Sequence, residues 1–366
     1  MEKFLKKLSV YLMFPVLIIS INYFADPANL FHEDYESSIA HNLMKGYNVT
    51  NVYNHNERLL QKKLIKNNPL CPEEIALGSS RGMLLNKFIS QSPSFFNNSM
   101  SGSVLEDNIA IYELYEQRGC PIKLVIISLD PWILNDNHGE KRWKSLEPEY
   151  NSFLSKLYTE RETEGFMFFN NYENYKQLLS FSYFKSSVRY LIKGIGRKDA
   201  KATRLAENNG LTRITDGSVT WDAQYRDAPQ AVVDRRANDI IAVDPMEYLG
   251  RFDHLSVHYK NLLINFVSYL QRKQIKVEFL LTPFHPVVYS NFMQKKHYRN
   301  VLASEEFFKT LARDKGIEIY GSFDPRKTDL VSSDFYDGLH CTADGLVKIM
   351  NTRMINRSKP IKKEIL

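Results

Sequence analysis

Cysteine is scarce in this chain. Three cysteines occur among 366 residues, Cys71, Cys120 and Cys341, with no Cys-x-x-Cys pair and no spacing typical of metal ligands. The scarcity argues against a cysteine-based metal site and allows at most one disulfide. Cys341 directly follows His340, but a buried, inert thiol is the favoured interpretation over a cysteine nucleophile.

Blocks of like charge, low-complexity tracts and internal repeats are also absent. The 48 basic and 42 acidic residues are interspersed, so the net charge of +6 forms no basic groove and nucleic acid is not expected as a partner. A mildly basic surface suits an anionic envelope polymer or lipid headgroups equally well. With 43% hydrophobic and 13% aromatic residues, the chain can bury a sizeable core.

A long apolar run occurs at the amino terminus. Three lysines lie within the first seven residues, and an apolar stretch follows from about Leu8 to Phe24. Its length is near the lower limit for a membrane-spanning helix, and the preceding lysines favour a cytoplasmic amino terminus. We therefore predict a transmembrane anchor over residues 1–25, with the bulk of the chain periplasmic or extracellular. A cleaved signal peptide and a buried core helix are the alternatives.

Strands and helices alternate in the rest of the chain. A polar connecting region, residues 26–70, precedes a domain predicted over residues 71–366. Apolar runs at 74–77, 123–129, 276–281 and 317–320 read as strands, with amphipathic helices between them. This order predicts an α/β domain with a mainly parallel sheet and helices on both faces, a three-layer arrangement of the flavodoxin type. Ligands of such sheets bind beyond the carboxyl ends of the strands.

Residues 140–250 break this alternation. They combine aromatic-rich helical pieces with a polar run, and long irregular inserts in compact domains are usually functional or flexible. We predict a helical and irregular insertion that forms a lid or a polymer-contact surface. A separate small domain is the alternative.

Two short segments far apart in the chain contain the residue types of a serine-centred active site. Gly78-Ser79-Ser80-Arg81 follows the first predicted strand, and Asp337-Gly338-Leu339-His340 precedes the last helix. A serine hydroxyl becomes nucleophilic when an imidazole within hydrogen-bond reach takes its proton, and a carboxylate fixes the tautomer of that imidazole. The sequence predicts Ser80, His340 and Asp337 in these roles.

The pattern resembles the SGNH (GDSL-like) hydrolase superfamily over about residues 73–136 and 277–346. Gly78-Ser79-Ser80 is similar to the first block and Asp337 to His340 matches the last. Gly102 corresponds to the oxyanion-hole glycine of the second block. The asparagine of the third block is not matched, since Ser128-Leu129-Asp130-Pro131-Trp132 stands there; Asn135 is a possible substitute.

The resemblance implies a function. The first block is similar to that of membrane-anchored extracytoplasmic acyl-transfer members such as the D-alanyl transfer protein of lipoteichoic acid modification; alginate O-acetylation proteins are further relatives of this kind. We therefore expect a serine O-acyltransferase or esterase that acts on a cell-envelope polysaccharide, without a cofactor. Expected partners are the polysaccharide, the membrane and a polytopic membrane-bound O-acyltransferase. The alternative is a non-catalytic polysaccharide-binding or assembly factor on the same fold.

Four further residues are candidates for substrate contacts: Arg81, Asp130, Trp132 and His285. Arg81 could hold an anionic group or form a turn-stabilising ion pair. His285 could line the pocket or stabilise a loop, and Trp132 could stack on a sugar or belong to the core. No metal site is predicted, because Asp253, His254 and His258 have helical spacing but lack a third ligand.

Overall fold

The central sheet contains five parallel strands. The computed structural model describes residues 2–27, 31, 34–158, 175–193 and 199–355. Their nine strands are β1 (Asn48–Thr50), β2 (Glu74–Leu77), β3 (Phe95–Asn97), β4 (Leu124–Ser128), β5 (Lys201–Thr203), β6 (Thr212–Arg213), β7 (Val219–Thr220), β8 (Lys276–Leu281) and β9 (Glu318–Gly321). The order in the central sheet is β3-β2-β4-β8-β9.

Helices follow most of these strands. The helices of the described residues are α1 (Glu2–Ala25), α2 (Asp34–Met44), α3 (Glu57–Asn67), α4 (Lys87–Ser90), α5 (Leu105–Arg118), α6 (Glu147–Leu157), α7 (Phe181–Lys193), α8 (Ala223–Arg226), α9 (Gln230–Ala242), α10 (Val257–Arg272), α11 (Pro286–Gln294), α12 (Arg299–Lys315) and α13 (Ala343–Ile355). The crossovers of the parallel sheet run through α5, α10 and α12, as expected for parallel neighbours.

Both faces of the sheet are buried. Every residue of β4 is buried, and its side chains alternate between two cores. Val125 and Ile127 pack with α5, α10 and α12, whereas Leu124 and Ile126 pack with α13 on the opposite face. A continuous apolar run is the pattern of such a doubly covered strand. The structure thus confirms the predicted α/β class with a parallel sheet between helical layers.

A second, antiparallel sheet joins two regions that the sequence treats as separate. Its order is β5-β1-β6-β7. Strand β1 belongs to the connecting region, and the other three strands belong to the insertion. Val49 of β1 is buried in a small core with α2 and α3. Two parts of the insertion, residues 159–174 and 194–198, lie outside the described residues.

The predicted anchor coincides with helix α1. Among the described residues, no helix is long and apolar enough to cross a bilayer, so the transmembrane span predicted over residues 1–25 is not supported. The carboxyl end of α1 contacts the insertion. The Asn22 amide donates to the Leu178 carbonyl at 2.9 Å, and the Ser187 hydroxyl donates to Asn22 Oδ1 at 3.1 Å.

One disulfide is present in the described chain. Cys71 and Cys120 are bonded, with their Cα atoms 5.3 Å apart, which ties the segment before β2 to the end of α5. Cys341 is a buried free cysteine, as predicted. Burial raises the pKa of its thiol to about 12, so the thiolate that a cysteine nucleophile needs is not formed at neutral pH.

Candidate active site

Ser80 lies on a tight turn at the carboxyl end of β2. Gly78 is required before it, because a Cβ at position 78 would lie 2.6 Å from Ser128 Cβ and 2.8 Å from the Ser128 carbonyl oxygen. The Ser79 hydroxyl then accepts the Arg81 N–H at 3.2 Å and caps a short 3₁₀ helix, Ser80–Gly82. This turn leaves Ser80 half-buried at the rim of the sheet.

The structure brings Ser80, His340 and Asp337 together. His340 Nε2 lies 2.9 Å from Ser80 Oγ, and His340 Nδ1 lies 2.9 Å from Asp337 Oδ2. Because a carboxylate only accepts, His340 carries its proton on Nδ1 and directs the lone pair of Nε2 at the serine hydroxyl. This is the arrangement in which an imidazole takes a proton from serine.

The loop before α13 fixes Asp337. The backbone N–H groups of Leu339 and His340 both donate to Asp337 Oδ1 at 2.7 Å. Burial raises the pKa of the Asp337 carboxyl, but the charge of His340 and the hydrogen bonds from its neighbours outweigh burial and hold that pKa well below its ordinary value. Asp337 therefore remains ionised at neutral pH.

Two aromatic residues of the insertion complete this cluster. The Tyr225 hydroxyl donates a short hydrogen bond to Asp337 Oδ2 and lies 3.3 Å from His340 Nδ1. The Trp221 ring packs edge to face on the His340 ring, with centroids 5.6 Å apart. Sequence reasoning missed Tyr225, because it lies 112 residues from Asp337 in an irregular segment without a motif. The insertion thus contacts the reacting groups themselves.

The predicted oxyanion glycine lies beside the nucleophile turn. We call Met100–Gly102 the oxyanion turn; the Met100 N–H donates to the Gly78 carbonyl at 2.9 Å. Gly102 has φ of +58°, and a Cβ there would overlap the Arg142 guanidinium. The positive φ is what favours glycine here, because the Arg142 side chain is 55% exposed and can move away from a Cβ.

The connecting region holds the oxyanion turn in place. Glu57 accepts the Ser101 N–H at 2.5 Å, and Arg58 donates to the Ser101 carbonyl at 3.1 Å. Arg58 also forms a buried ion pair with Asp107 at 2.8 Å. These side chains fix the backbone of Ser101, the residue before Gly102, from both sides.

The Asn135 side chain forms its hydrogen bonds away from Ser80, His340 and Asp337. Its Nδ2 donates to the Leu249 carbonyl at 2.7 Å, and its Oδ1 accepts the Asn137 N–H at 3.0 Å. The side-chain amide thereby joins the segment after β4 to the end of the insertion. In the described part of the chain, Asn135 makes no hydrogen bond to Ser80 or His340, so the substitution proposed for the missing asparagine is not supported.

Arg81 and Asp130 form a buried ion pair, and this corrects their predicted role in substrate binding. Arg81 Nη1 lies 2.8 Å from Asp130 Oδ1, and each side chain is only 1% exposed. Arg81 also donates to the carbonyls of Thr282 and Leu339, and its guanidinium stacks 3.8 Å from the Phe284 ring centroid. The turn-stabilising alternative is therefore the one that the geometry favours.

His285 and Trp132 are also buried. His285 is 0% exposed; its Nδ1 accepts the Val287 N–H, and its backbone N–H donates to the Gly338 carbonyl at 3.1 Å. It therefore supports the loop from Asp337 to His340, which we name the catalytic loop for its predicted role, and it does not line a substrate surface, which corrects that prediction. Trp132 is 6% exposed, stacks on His138, and lines a cavity of about 140 Å³ beside Val104.

No group of three or more metal-ligating side chains occurs within residues 2–27, 34–158, 175–193 and 199–355. No family model matches the chain, and no curated protein matches it significantly.

Proposed function

We propose that this protein is a serine O-acyltransferase or esterase that works through an acyl-serine intermediate, with a cell-envelope polysaccharide as its substrate class. The contact of Ser80 Oγ with His340 Nε2 at 2.9 Å, continued to Asp337 at 2.9 Å, carries the proposal. A serine, an imidazole and a carboxylate in this order are the functional core of acyl transfer on unrelated folds.

In the first half-reaction, Ser80 Oγ attacks the carbonyl carbon of an acyl donor. His340 Nε2 takes the hydroxyl proton and delivers it to the departing oxygen, so that acyl-Ser80 and an alcohol are formed. Asp337 stabilises the imidazolium that exists between these two proton transfers. The backbone N–H groups of Ser80 and Gly102 are the proposed donors to the oxyanion.

The second half-reaction runs in reverse with a new acceptor. His340 takes a proton from the acceptor hydroxyl, the hydroxyl oxygen attacks the acyl carbon, and Ser80 leaves with the proton. Water as the acceptor gives an esterase, and a sugar hydroxyl gives a transferase. The side chains of His340 and Asp337 are 16% and 14% exposed, so both kinds of acceptor have access to the imidazole.

An extracytoplasmic location is part of the proposal. The Cys71–Cys120 disulfide supports it, because disulfides form and persist in oxidising compartments. The envelope polysaccharide would be the acyl acceptor, and a polytopic membrane-bound O-acyltransferase remains a proposed source of the acyl group.

A fluorophosphonate probe tests the acyl-serine step. We expect stoichiometric labelling at Ser80 in the wild-type protein and none in Ser80→Ala, because the probe reacts with a serine that an imidazole activates. Ser333→Ala, which alters an exposed serine near the catalytic loop, is the matched control and should label fully. Equal labelling of wild type and Ser80→Ala would refute the proposal.

A non-catalytic polysaccharide-binding or assembly factor is the second candidate, and the oxyanion site favours it. The asparagine of the third SGNH block is absent, and the side-chain amide of Asn135 is hydrogen-bonded to the Leu249 carbonyl. Loss of one oxyanion donor typically raises the barrier by about 3 kcal/mol. Folded wild-type protein that binds the polysaccharide but is not labelled by the fluorophosphonate probe would favour this role.

Acceptor competition separates transferase from esterase. A transferase should release the acyl group faster when a sugar acceptor is added and form the O-acylated sugar. Hydrolysis of a small acetyl ester at a rate that no sugar acceptor alters would assign the esterase instead.

A further inference from the structure

We propose that Tyr225 is a positioning residue of the active site, through which the insertion orients Asp337 and draws negative charge away from the carboxylate oxygen that faces His340. The inference rests on the proposed function for its catalytic meaning. Its structural content, a coupling between a phenol of the insertion and the catalytic imidazole, can be measured without turnover.

Tyr225 supplies the fourth hydrogen bond to Asp337. Oδ1 of this carboxylate accepts two backbone N–H groups, and Oδ2 accepts both His340 Nδ1–H and the Tyr225 hydroxyl. Asp337 and its catalytic loop come from the segment before α13, whereas Tyr225 comes from α8 in the insertion. The phenol therefore joins two separate parts of the chain at the carboxylate.

The Tyr225 ring is held from several sides. Its own N–H donates to Asp222 Oδ1 at 3.0 Å, which starts α8. The Arg236 guanidinium lies 4.6 Å from the ring centroid, and Arg236 Nη1 donates to the Tyr336 carbonyl at 3.2 Å. The ring consequently presents its hydroxyl to Asp337 in a fixed direction.

The hydroxyl remains a donor at all working pH values. Burial raises the pKa of Tyr225 and the negative charge of Asp337 raises it further, so the phenol keeps its proton. A donor on Oδ2 draws negative charge away from the side that faces His340. The positive charge of the imidazolium is then stabilised less than it would be by a carboxylate without this donor.

Other charged groups also face this cluster. The charge of Asp130, which pairs with Arg81, interacts with His340. The charges of Asp222 and Arg236 interact with Tyr225. His285 lies 3.8 Å from Asp234 and interacts electrostatically with both Asp234 and Asp337. All of these groups are retained in the variants below, so differences among the variants report the phenol hydroxyl.

Titration of His340 by nuclear magnetic resonance tests the coupling directly. Histidine-labelled protein gives one ring signal per histidine, and the His340→Gln variant identifies the signal of residue 340. Tyr225→Phe should raise the pKa of His340 by about one unit, the size expected for a lost hydrogen bond to a charged group. A fluorinated tyrosine at position 225, which is a stronger donor, should lower it.

Tyr336→Phe is the matched control, because it removes a hydroxyl from a neighbouring ring whose centroid lies 5.8 Å from that of Tyr225. It should leave the His340 titration unchanged. If the protein turns over an ester, the acid limb of kcat/KM should move upward in Tyr225→Phe alone, with about a tenfold loss below the new pKa. An unchanged His340 titration in folded Tyr225→Phe would overturn the inference; an inactive wild type in which the titration still shifts would overturn the proposed reaction but not the coupling.

Discussion

Asparagine in place of Asp130 should destabilise the protein strongly, although the change is nearly isosteric. Arg81 and Asp130 are each 1% exposed, so the substitution leaves a guanidinium charge in the interior with no ionic partner. Removal of one partner from a buried pair costs about 3–5 kcal/mol, and the amide oxygen of the introduced asparagine can still accept one hydrogen bond. We therefore expect a loss of about 3 kcal/mol in the free energy of unfolding.

Urea titration followed by tryptophan fluorescence measures this loss as a shift of the transition midpoint. The control is Glu73→Gln, which breaks the surface pair with Lys123, in which both side chains are largely exposed. That pair should contribute less than about 1 kcal/mol. The same Asp130→Asn protein should also label more slowly at Ser80, because Arg81 donates to the Leu339 carbonyl in the catalytic loop.

Equal midpoints for Asp130→Asn and the wild type would refute this reasoning. The result would mean that Arg81 is satisfied by the carbonyls of Thr282 and Leu339 and by the Phe284 ring, and that the ion pair is not needed to bury it.

Two further variants test the oxyanion turn and a buried carboxyl. Gly102→Ala should lower kcat/KM about a hundredfold because alanine is strained at a φ of +58° and would shift the turn, whereas Gly119→Ala, at a φ of +74° outside the oxyanion turn, should keep full activity; equal rates would refute the oxyanion role. Burial raises the pKa of the Glu106 carboxyl from its ordinary value of 4.5 to about 7. Between these two pH values the folded state keeps a proton that the unfolded chain releases. The free energy of unfolding should therefore fall by about 3 kcal/mol as the pH rises from 4.5 to about 7. Glu106→Gln should abolish that fall in thermal melts, and the exposed Glu306→Gln should not.

Much of the central sheet follows from the sequence. The strands predicted at 74–77 and 276–281 coincide with β2 and β8, because continuous apolar runs flanked by turns are typical of a sheet that is covered on both faces. The meeting of Ser80 with His340 also follows from the order of the elements. Both lie beyond the carboxyl ends of parallel strands, and such ends share one edge of the sheet.

The second sheet could not be predicted in this way. Strands β6 and β7 contain two residues each and β1 contains three, which is too short for an alternating pattern. Their stability comes from pairing between segments far apart in the chain, such as Thr50 with Thr212. No local propensity encodes that contact, and the same holds for the hydrogen bond of Tyr225 to Asp337.

Asp130 lies where the sequence departs from the SGNH pattern, and its side chain has a structural role. Asp130 replaces a donor by a carboxylate, which cannot donate to an oxyanion, and it binds Arg81. Arg81 in turn holds the carbonyls at the end of β8 and in the catalytic loop, so this position stabilises the frame that brings His340 to Ser80. If backbone N–H groups are then the main donors to the oxyanion, displacement of the oxyanion turn should cost more here than in a site with a third, side-chain donor. For this reason we expect a loss as large as about a hundredfold for Gly102→Ala.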